Sequence, residues 1–241
     1  MAGDKSAVRK VLDTAKAAGR TALTAPEGKA VCDAYGIPVP QEGVATSAAD
    51  AAKLAAGMGF PVVLKIVSPD ILHKTEAGAV ALNLAGAAAV RDAYRAVTAR
   101  AAAAKPGARI EGVLVQAMAR RGTEIILGVT RDADFGPMLM VGLGGIHVEV
   151  LKDVAFAPVP LGRDEALDLI AELKGAAVLD GVRGAPPADR AALAELIAAL
   201  SRFAADHADA VAEIDLNPVI VHPAGQGLTV VDALIVKEQH K

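Results

Sequence analysis

Residues 60–84 read FPVVLKIVSPDILHKTEAGAVALNL, and the rest of the chain is best understood outward from them. Phe60–Val67 is a short apolar run flanked by Gly59 and Pro61, the pattern of a buried strand. A polar loop follows, and Gly78 opens a second extended segment that runs to Leu84. Lys65 lies inside the apolar run, where a charged head group is costly unless it faces a partner or ligand. An ammonium there suits phosphate as a point charge. The plainer alternative is an edge-strand lysine whose head reaches water. His73 sits in the loop between the two strands. An imidazole in such a place is ordinarily a solvent-facing side chain, yet it is also a nucleophile able to carry a transient covalent group. Lys74 beside it would attract an anionic phosphoryl donor.

On the N-terminal side, residues 1–20 predict a short helix and its exit. EGKAVCDAYGIPVP predicts a helix ending at Tyr35–Gly36 and then a short strand, because Gly36 permits positive φ and Pro38 resists helical continuation. Ser47–Met58 is alanine-rich and helical. On the C-terminal side, a helix over Ala87–Ala104 and a strand over 109–118 complete a first lobe spanning 22–116. The second lobe, 117–241, begins with strands at Glu124–Thr130, Met138–Val141 and Val148–Leu151, with Asp132–Asp134 turning between the first two. Helices at Arg163–Leu173 and Asp189–Phe203 follow. Strands over 209–222 and 227–237, joined by the His222–Gly227 turn, close the chain. The pattern is α/β, two α+β lobes facing one another across a cleft, a common place for a ligand. Residues 1–21 stand outside it as an N-terminal helical extension.

Composition narrows the function. The 241 residues are 53% hydrophobic, with 23 glycines, so the chain folds into a substantial core. The alanine-rich runs are broken by charges at helical spacing, which argues against membrane spans. Aromatic residues amount to 2%, tryptophan is absent and the net charge is −3, a poor match to nucleic-acid binding by stacking and a basic field. The one cysteine, Cys32, rules out an internal disulfide, and no basic-then-apolar leader opens the sequence; a cytoplasmic protein is expected.

Three further features bear on chemistry. In EIDLNP, Glu213, Asp215 and Asn217 alternate with Ile214 and Leu216, so a persisting strand sets three oxygen-bearing side chains on one face. Asp232 in the next strand would face them across a hairpin. Magnesium takes a few such oxygens together with water and nucleotide phosphates. The alternative is a polar strand face and an Asn-Pro turn. VGLGG, 141–145, matches neither the P-loop nor the dinucleotide fingerprint, but its glycines would let backbone amides approach phosphate; a tight turn explains it almost as well. His147 follows it and ranks below His73. Val115, Gln116, Ala117 and Met118 offer backbone polar groups and an apolar slot for an adenine edge, with Met118 as core filler the alternative. Arg183–Gly184 would meet an anion or a partner loop, or simply form a surface turn.

Taken in order, YGIPV at Tyr35, PVVLKIVSPDILHKTEAGAV at Pro61, GVLVQAM at Gly112, EIILGVTRDADFGPMLMVGLGGIHVEVLKD at Glu124, LDGVRGAPPAD, and EIDLNPVIV resemble the ATP-grasp beta subunit of ADP-forming acetyl-CoA synthetases. The resemblance runs from about residue 20 to 236. It implies a two-lobed ATP-grasp fold holding ATP or ADP with Mg2+ between the lobes. Lys65 then resembles the phosphate-contacting lysine, Gln116–Met118 the adenine hinge, and Glu124 the acidic position after it. Gly144 and Gly145 fall in the phosphate loop. Asn217 and Asp232 resemble the magnesium pair, with Glu213 supporting or bound through water. His73 resembles the second phosphoryl carrier of a reaction that converts acyl-CoA, ADP and phosphate into acid, CoA and ATP. A CoA-binding alpha partner carrying the first phosphohistidine is implied, in a hetero-oligomer. A carboxylate ligase forming acyl phosphate directly, or a nucleotide-binding regulatory module, are the other readings.

Overall fold

The computed structural model describes residues 3–71, 74–145, 152–182 and 184–238. It divides into two compact units with separate cores: one of residues 1–23, 27–39 and 120–241, the other of 24–26 and 40–119.

The smaller unit is a four-stranded sheet in the order β1 (Glu42–Ala45), β4 (Gly112–Ala117), β2 (Val62–Val67), β3 (Val80–Leu84), all antiparallel. One face carries Val62, Leu64, Ile66, Val113 and Val115, packed in a core with side chains from α3 (Ala48–Met58) and α4 (Ala87–Ala104). Alanines on those helices bring them close to the sheet at little entropic cost. The Ser47 hydroxyl caps α3 by accepting the Asp50 N–H at 3.1 Å. Gly59, at φ +89°, ends the same helix and turns the chain into β2.

The larger unit is built on a six-stranded sheet. Its path is β10 (Ala233–Lys237), β8 (Val211–Val221), β5 (Thr123–Asp132), β6 (Gly136–Leu143), β7 (Val154–Pro158), with β9 (Leu228–Val230) also paired to β8. Alternation divides this sheet as well. Ile125, Leu127, Val129, Leu139, Val141, Ile214 and Leu216 enter a core shared with α5 (Arg163–Ala171) and α6 (Arg190–Asp206). Burying side chains of this size contributes roughly 1.5–3 kcal/mol each. Helices α1 (Lys5–Ala17) and α2 (Ala25–Ala34) join the same core through Val8, Leu12, Ala15, Val31 and Cys32. Residues 27–39 were expected in the first lobe; the apolar side of α2 draws them into the larger unit instead. The N-terminal helix is likewise part of that unit, and Leu23 N–H bonds Ile235 O at 3.0 Å on the edge of β10.

The closing strand differs from expectation, and one strand was not foreseen. The segment Val148–Leu151 lies outside the described residues, and the strand beside β6 is β7, whose Ala155 points inward and Phe156 outward. The expected closing strand over 227–237 is two strands, β9 and β10, separated by Val231–Asp232. β8 pairs with β10 up to Leu216 and with β9 from Val219. Its register against β5 also shifts there, Leu127 facing Leu216 and Ile125 facing Val219. That extra residue accommodates Pro218, which has no N–H to give a ladder.

The Asp189 carboxylate ties α6 to the β8–β9 turn. It accepts the Ala192 N–H at 3.0 Å, capping the helix, and the Gly227 N–H at 2.9 Å. These two backbone bonds hold its pKa below the ordinary carboxylate value. Asp189→Ala removes a cap and strands an inner N–H, together about 2–4 kcal/mol. Urea unfolding is expected to show that loss at pH 7. Because the folded carboxyl is the more acidic, its contribution is complete above the unfolded value and fades as pH falls through it, so the difference between variant and parent should shrink below about pH 4.

Candidate functional site

In the smaller unit the expected residues lie on β2 and β4. Lys65 is 5% exposed on β2, a strand flanked by β3 and β4, with Val80 and Leu114 as its cross-strand neighbours. The edge-strand reading is thereby overturned. Period two places Lys65 with Val63 and Val67 on the face opposite the helix-covered core, and Leu114 and Gln116 of β4 share that face. Gln116, 3% exposed, donates from Nε2 to Glu42 Oε2 at 2.7 Å. This face therefore holds a cation and a bonded amide–carboxylate pair among apolar neighbours. Val115, on the other side of the same strand, is interior core. Ala117 and Met118 are half-buried, and their N–H groups go to Gln41 O at 2.8 Å and Pro61 O at 3.3 Å. A ligand edge at this hinge would thus meet N–H groups already engaged by the sheet's end, the Met118 bond being the longer.

In the larger unit the remaining residues lie on the sheet face turned away from the core. β8 extends through the whole of 211–221, so Glu213, Asp215 and Asn217 do share that face, while Ile214 and Leu216 are buried. The Asn-Pro turn considered for this segment does not form. Asp232, in the junction between β9 and β10, comes opposite Asn217, whose N–H bonds Asp232 O at 3.1 Å. The hairpin expectation is met, though by a break between strands rather than by a continuous strand. Glu213 lies four residues from Asn217, roughly 13 Å along an extended chain, whereas Asp215 lies roughly 7 Å away. One ion held by Asn217 and Asp232 is out of reach of Glu213 and near Asp215. The motif named Asp215 without ranking it first; strand rise is the signal that separates the two.

Register extends this face across the sheet. Asp215 is opposite Leu234 on one side and Gly128 on the other, and Gly128 leads to Met140 and Phe156. A hollow of about 200 Å³ opens here, lined by Gly128, Thr130, Met140, Phe156, Glu213 and Asp215 among others.

Glu124, the second residue of β5, touches the glycine segment. Its carbonyl accepts the Gly144 N–H at 2.7 Å. A Cβ on Gly144 would come within 2.8 Å of Glu124 Cβ and 2.9 Å of its carbonyl carbon. Gly145, at φ +63°, presents its missing Cβ 3.5 Å from Glu124 Oε2. The glycines thus serve a backbone-to-backbone approach, and the carboxylate stands beside the second one. His73, His147 and Arg183 lie outside the described residues. Among the described residues no three His, Cys, Asp or Glu side chains form a metal cage. Two carboxylates and an amide on the β8 face are the hard-oxygen set that Mg2+ accepts when water and phosphates complete its shell.

Comparison with known proteins agrees with this architecture. A family model described as an ATP-grasp domain matches residues 14–236. The chain is 41% identical over 232 residues to the beta subunit of acetate–CoA ligase (ADP-forming) II of Pyrococcus furiosus, covering 96% of this chain and 98% of that one. It is also 41% identical over 232 residues to the ADP-forming 4-hydroxybutyrate–CoA ligase of Nitrosopumilus maritimus, of which it spans 33%. Among solved structures, acetyl-coenzyme A synthetase 1 of Ca. Korarchaeum cryptofilum superposes with a TM-score of 0.81 at 38% identity, covering 96% of this chain and 100% of that one. That structure holds coenzyme A and Mg-AMPPCP, with its phosphohistidine segment pointing towards the nucleotide binding site.

The geometry distinguishes the two glycines. Gly144→Ala drives a methyl into backbone atoms that cannot rotate away. It should break the Gly144–Glu124 bond and speed amide exchange across the start of β5 at least tenfold. Gly145→Ala meets only left-handed strain, about 1 kcal/mol, and should leave β5 exchange within threefold of the parent.

Proposed function

Because the chain belongs to the ATP-grasp family, among the beta subunits and domains of ADP-forming acyl-CoA synthetases, we propose that it binds Mg-ADP or Mg-ATP and passes a phosphoryl group through His73. The observation that carries this reading is the polar face of β8, where Asn217 meets Asp232 and Asp215 lies one register step away.

In the ATP-forming direction, a partner alpha subunit or domain converts acyl-CoA and phosphate to acid, CoA and its own phosphohistidine. An imidazole nitrogen of His73 then attacks that phosphorus; its N–P bond forms as the partner's N–P bond breaks. The terminal oxygen of ADP next attacks the His73-bound phosphorus, the N–P bond breaks and ATP forms, leaving His73 free for another cycle. Charge accumulates on the equatorial phosphate oxygens, so positioning and electrostatics are the catalytic work. Asp215, Asn217 and Asp232 would hold Mg2+, which when bound screens the phosphate charge. Lys65 supplies a fixed cation in an apolar setting, where its field is less screened than in water. The Gly145 segment would approach the phosphates, since the Gly144 N–H is already given to Glu124, and Ala117–Met118 would offer the adenine an apolar edge. The Glu124 carboxylate beside Gly145 repels bare phosphate and suits a ribose hydroxyl or a metal-bound water.

Relatives named for acetate and for 4-hydroxybutyrate match this chain equally well, which supports placing acyl selection in the partner. A cytoplasmic location fits the CoA and nucleotide chemistry and the single buried Cys32. Among the described residues no helix is long and apolar enough to cross a membrane.

The purified chain incubated with Mg-ATP labelled at the γ-phosphate is expected to acquire an acid-labile label that ADP removes and His73→Ala abolishes. Persistent absence of label after the cognate partner is added, with nucleotide binding demonstrated, would sink the relay and favour direct ligation or regulation. Lys65→Met, which keeps the side chain's length without its charge, should lose nucleotide affinity at least tenfold by calorimetry, with an unchanged circular dichroism spectrum as the check that it folds. Asp215→Asn should raise the magnesium concentration needed for half-maximal labelling at least tenfold, and Glu213→Gln less than twofold; equal effects would restore Glu213 to the metal.

A further inference from the structure

Away from the sheet face, the end of α6 buries an imidazole with nothing to bond. His207 is 2% exposed, and neither Nδ1 nor Nε2 has a hydrogen-bond partner. Its ring lies among other rings, 5.6 Å from Phe203 and 6.1 Å edge-on to Tyr35 between centroids. The backbone around it is well tied: the His207 N–H bonds Phe203 O, and its carbonyl accepts Ala210 and Val211. Only the side chain is unsatisfied, a situation that costs about 1–3 kcal/mol.

The N-terminal helix crosses this place. Lys5 on α1 pairs with Asp206 at 2.6 Å and Arg9 with Asp209 at 2.7 Å, so the two carboxylates flanking His207 are each engaged by a cation of α1. Tyr35, at the end of α2, donates to Asp206 at 2.9 Å. The Asp4 N–H bonds Ala34 O at 3.1 Å, and a Cβ on Gly3 would strike the Tyr35 ring at 2.3 Å. The approach to α1 and its first turn therefore close directly over the Tyr35–Phe203–His207 nest.

We infer that His207 is a proton-operated latch for α1: the neutral imidazole lets the helix dock, and protonation releases it. The charged groups facing the site are Lys5, Arg9 and Asp4 from the N-terminal segment and Arg202, Asp206 and Asp209 from α6 and the turn after it, with Tyr35 from α2. Lys5 and Arg9 neutralise Asp206 and Asp209, so an imidazolium would add an uncompensated buried charge. Burial accordingly holds the His207 pKa below its ordinary value, against the pull of Asp206. Asp209 is kept acidic by the Arg9 bond; burial alone would raise Asp206, but Lys5 and Tyr35 hold it low too. Neither carboxylate titrates between pH 7.5 and 5.5. With the docked pKa depressed, docking is complete above the undocked value of about 6.5 and weakens as pH falls towards the docked value. The docking equilibrium can lose at most about tenfold between pH 7.5 and 5.5, the limit for an imidazole that stays neutral throughout when docked.

The test is hydrogen exchange of the intact chain followed by mass spectrometry, reading peptides from residues 5–17 at both pH values after correction for intrinsic exchange. The wild type should lose protection in α1 at pH 5.5, by up to about tenfold, while peptides of β5 and β6 stay constant. His207→Phe, which fills the ring nest, and His207→Gln, which keeps polarity without titrating, should both abolish the pH difference. Unchanged α1 protection in the wild type, or the same loss in both variants, overturns the latch.

Discussion

Burial of Ile214 and Leu216 is the constraint on which both the core and the candidate site depend. These two side chains lie in the core of the larger unit, and the residues between and beside them project from the opposite face. A slip of β8 by one residue would carry Glu213, Asp215 and Asn217 into that core. Each would arrive without its solvent or partners, at a cost of several kcal/mol apiece. The register is therefore fixed by apolar burial, and the polar ladder inherits its position from it. No interaction among the polar residues themselves is needed to align them. The bulge at Asn217–Pro218 then does one local thing: it hands β8 from one partner strand to the next where Asp232 comes opposite Asn217.

Much of this was legible from local pattern. Apolar runs marked β2 and β4, alanine with interspersed charge marked α3 and α4, and the alternation in EIDLNP assigned the right side chains to the right face. What escaped depends on distance in three dimensions. The run GLTVVDALIVK has no breaker at Val231–Asp232, because the break is imposed by the switch of pairing along β8 rather than by a turn residue. β7 is five residues ending in Pro158, too short to stand out beside a longer glycine-rich stretch. The allegiance of α2 to the larger unit follows from which core accepts Val31 and Cys32, and neither side chain advertises that. Lys65 was ambiguous only because strand order cannot be read from one strand; once β2 lies between β3 and β4, an edge position is excluded.

The glycine segment shows why a residue type seldom has one meaning. Gly144 is required by the approach of Glu124's backbone, which would hold whether or not phosphate ever reached the loop. Its presence is thus weak support for an anion site. Gly145 is different: it has room, adopts positive φ and lies beside a carboxylate, so it is the more informative of the two about ligand chemistry. The same economy applies to EIDLNP, where three oxygen-bearing side chains share a face but strand rise allows only the nearer carboxylate to act with Asn217 and Asp232.

The chain contains two cores, neither sharing a residue with the other. Relatives carry the same unit either as a separate subunit or as about a third of a longer chain. A covalent connection to the remaining domains would raise the effective concentration of the partner's phosphohistidine near His73. A separate subunit must reach the same encounter through an interface of its own. The difference between the two arrangements therefore lies in the assembly equilibrium and leaves the nucleotide chemistry of the unit alone. Acyl preference, which varies among relatives of equal similarity to this chain, is free to change in the other part without disturbing the strand that sets the polar face.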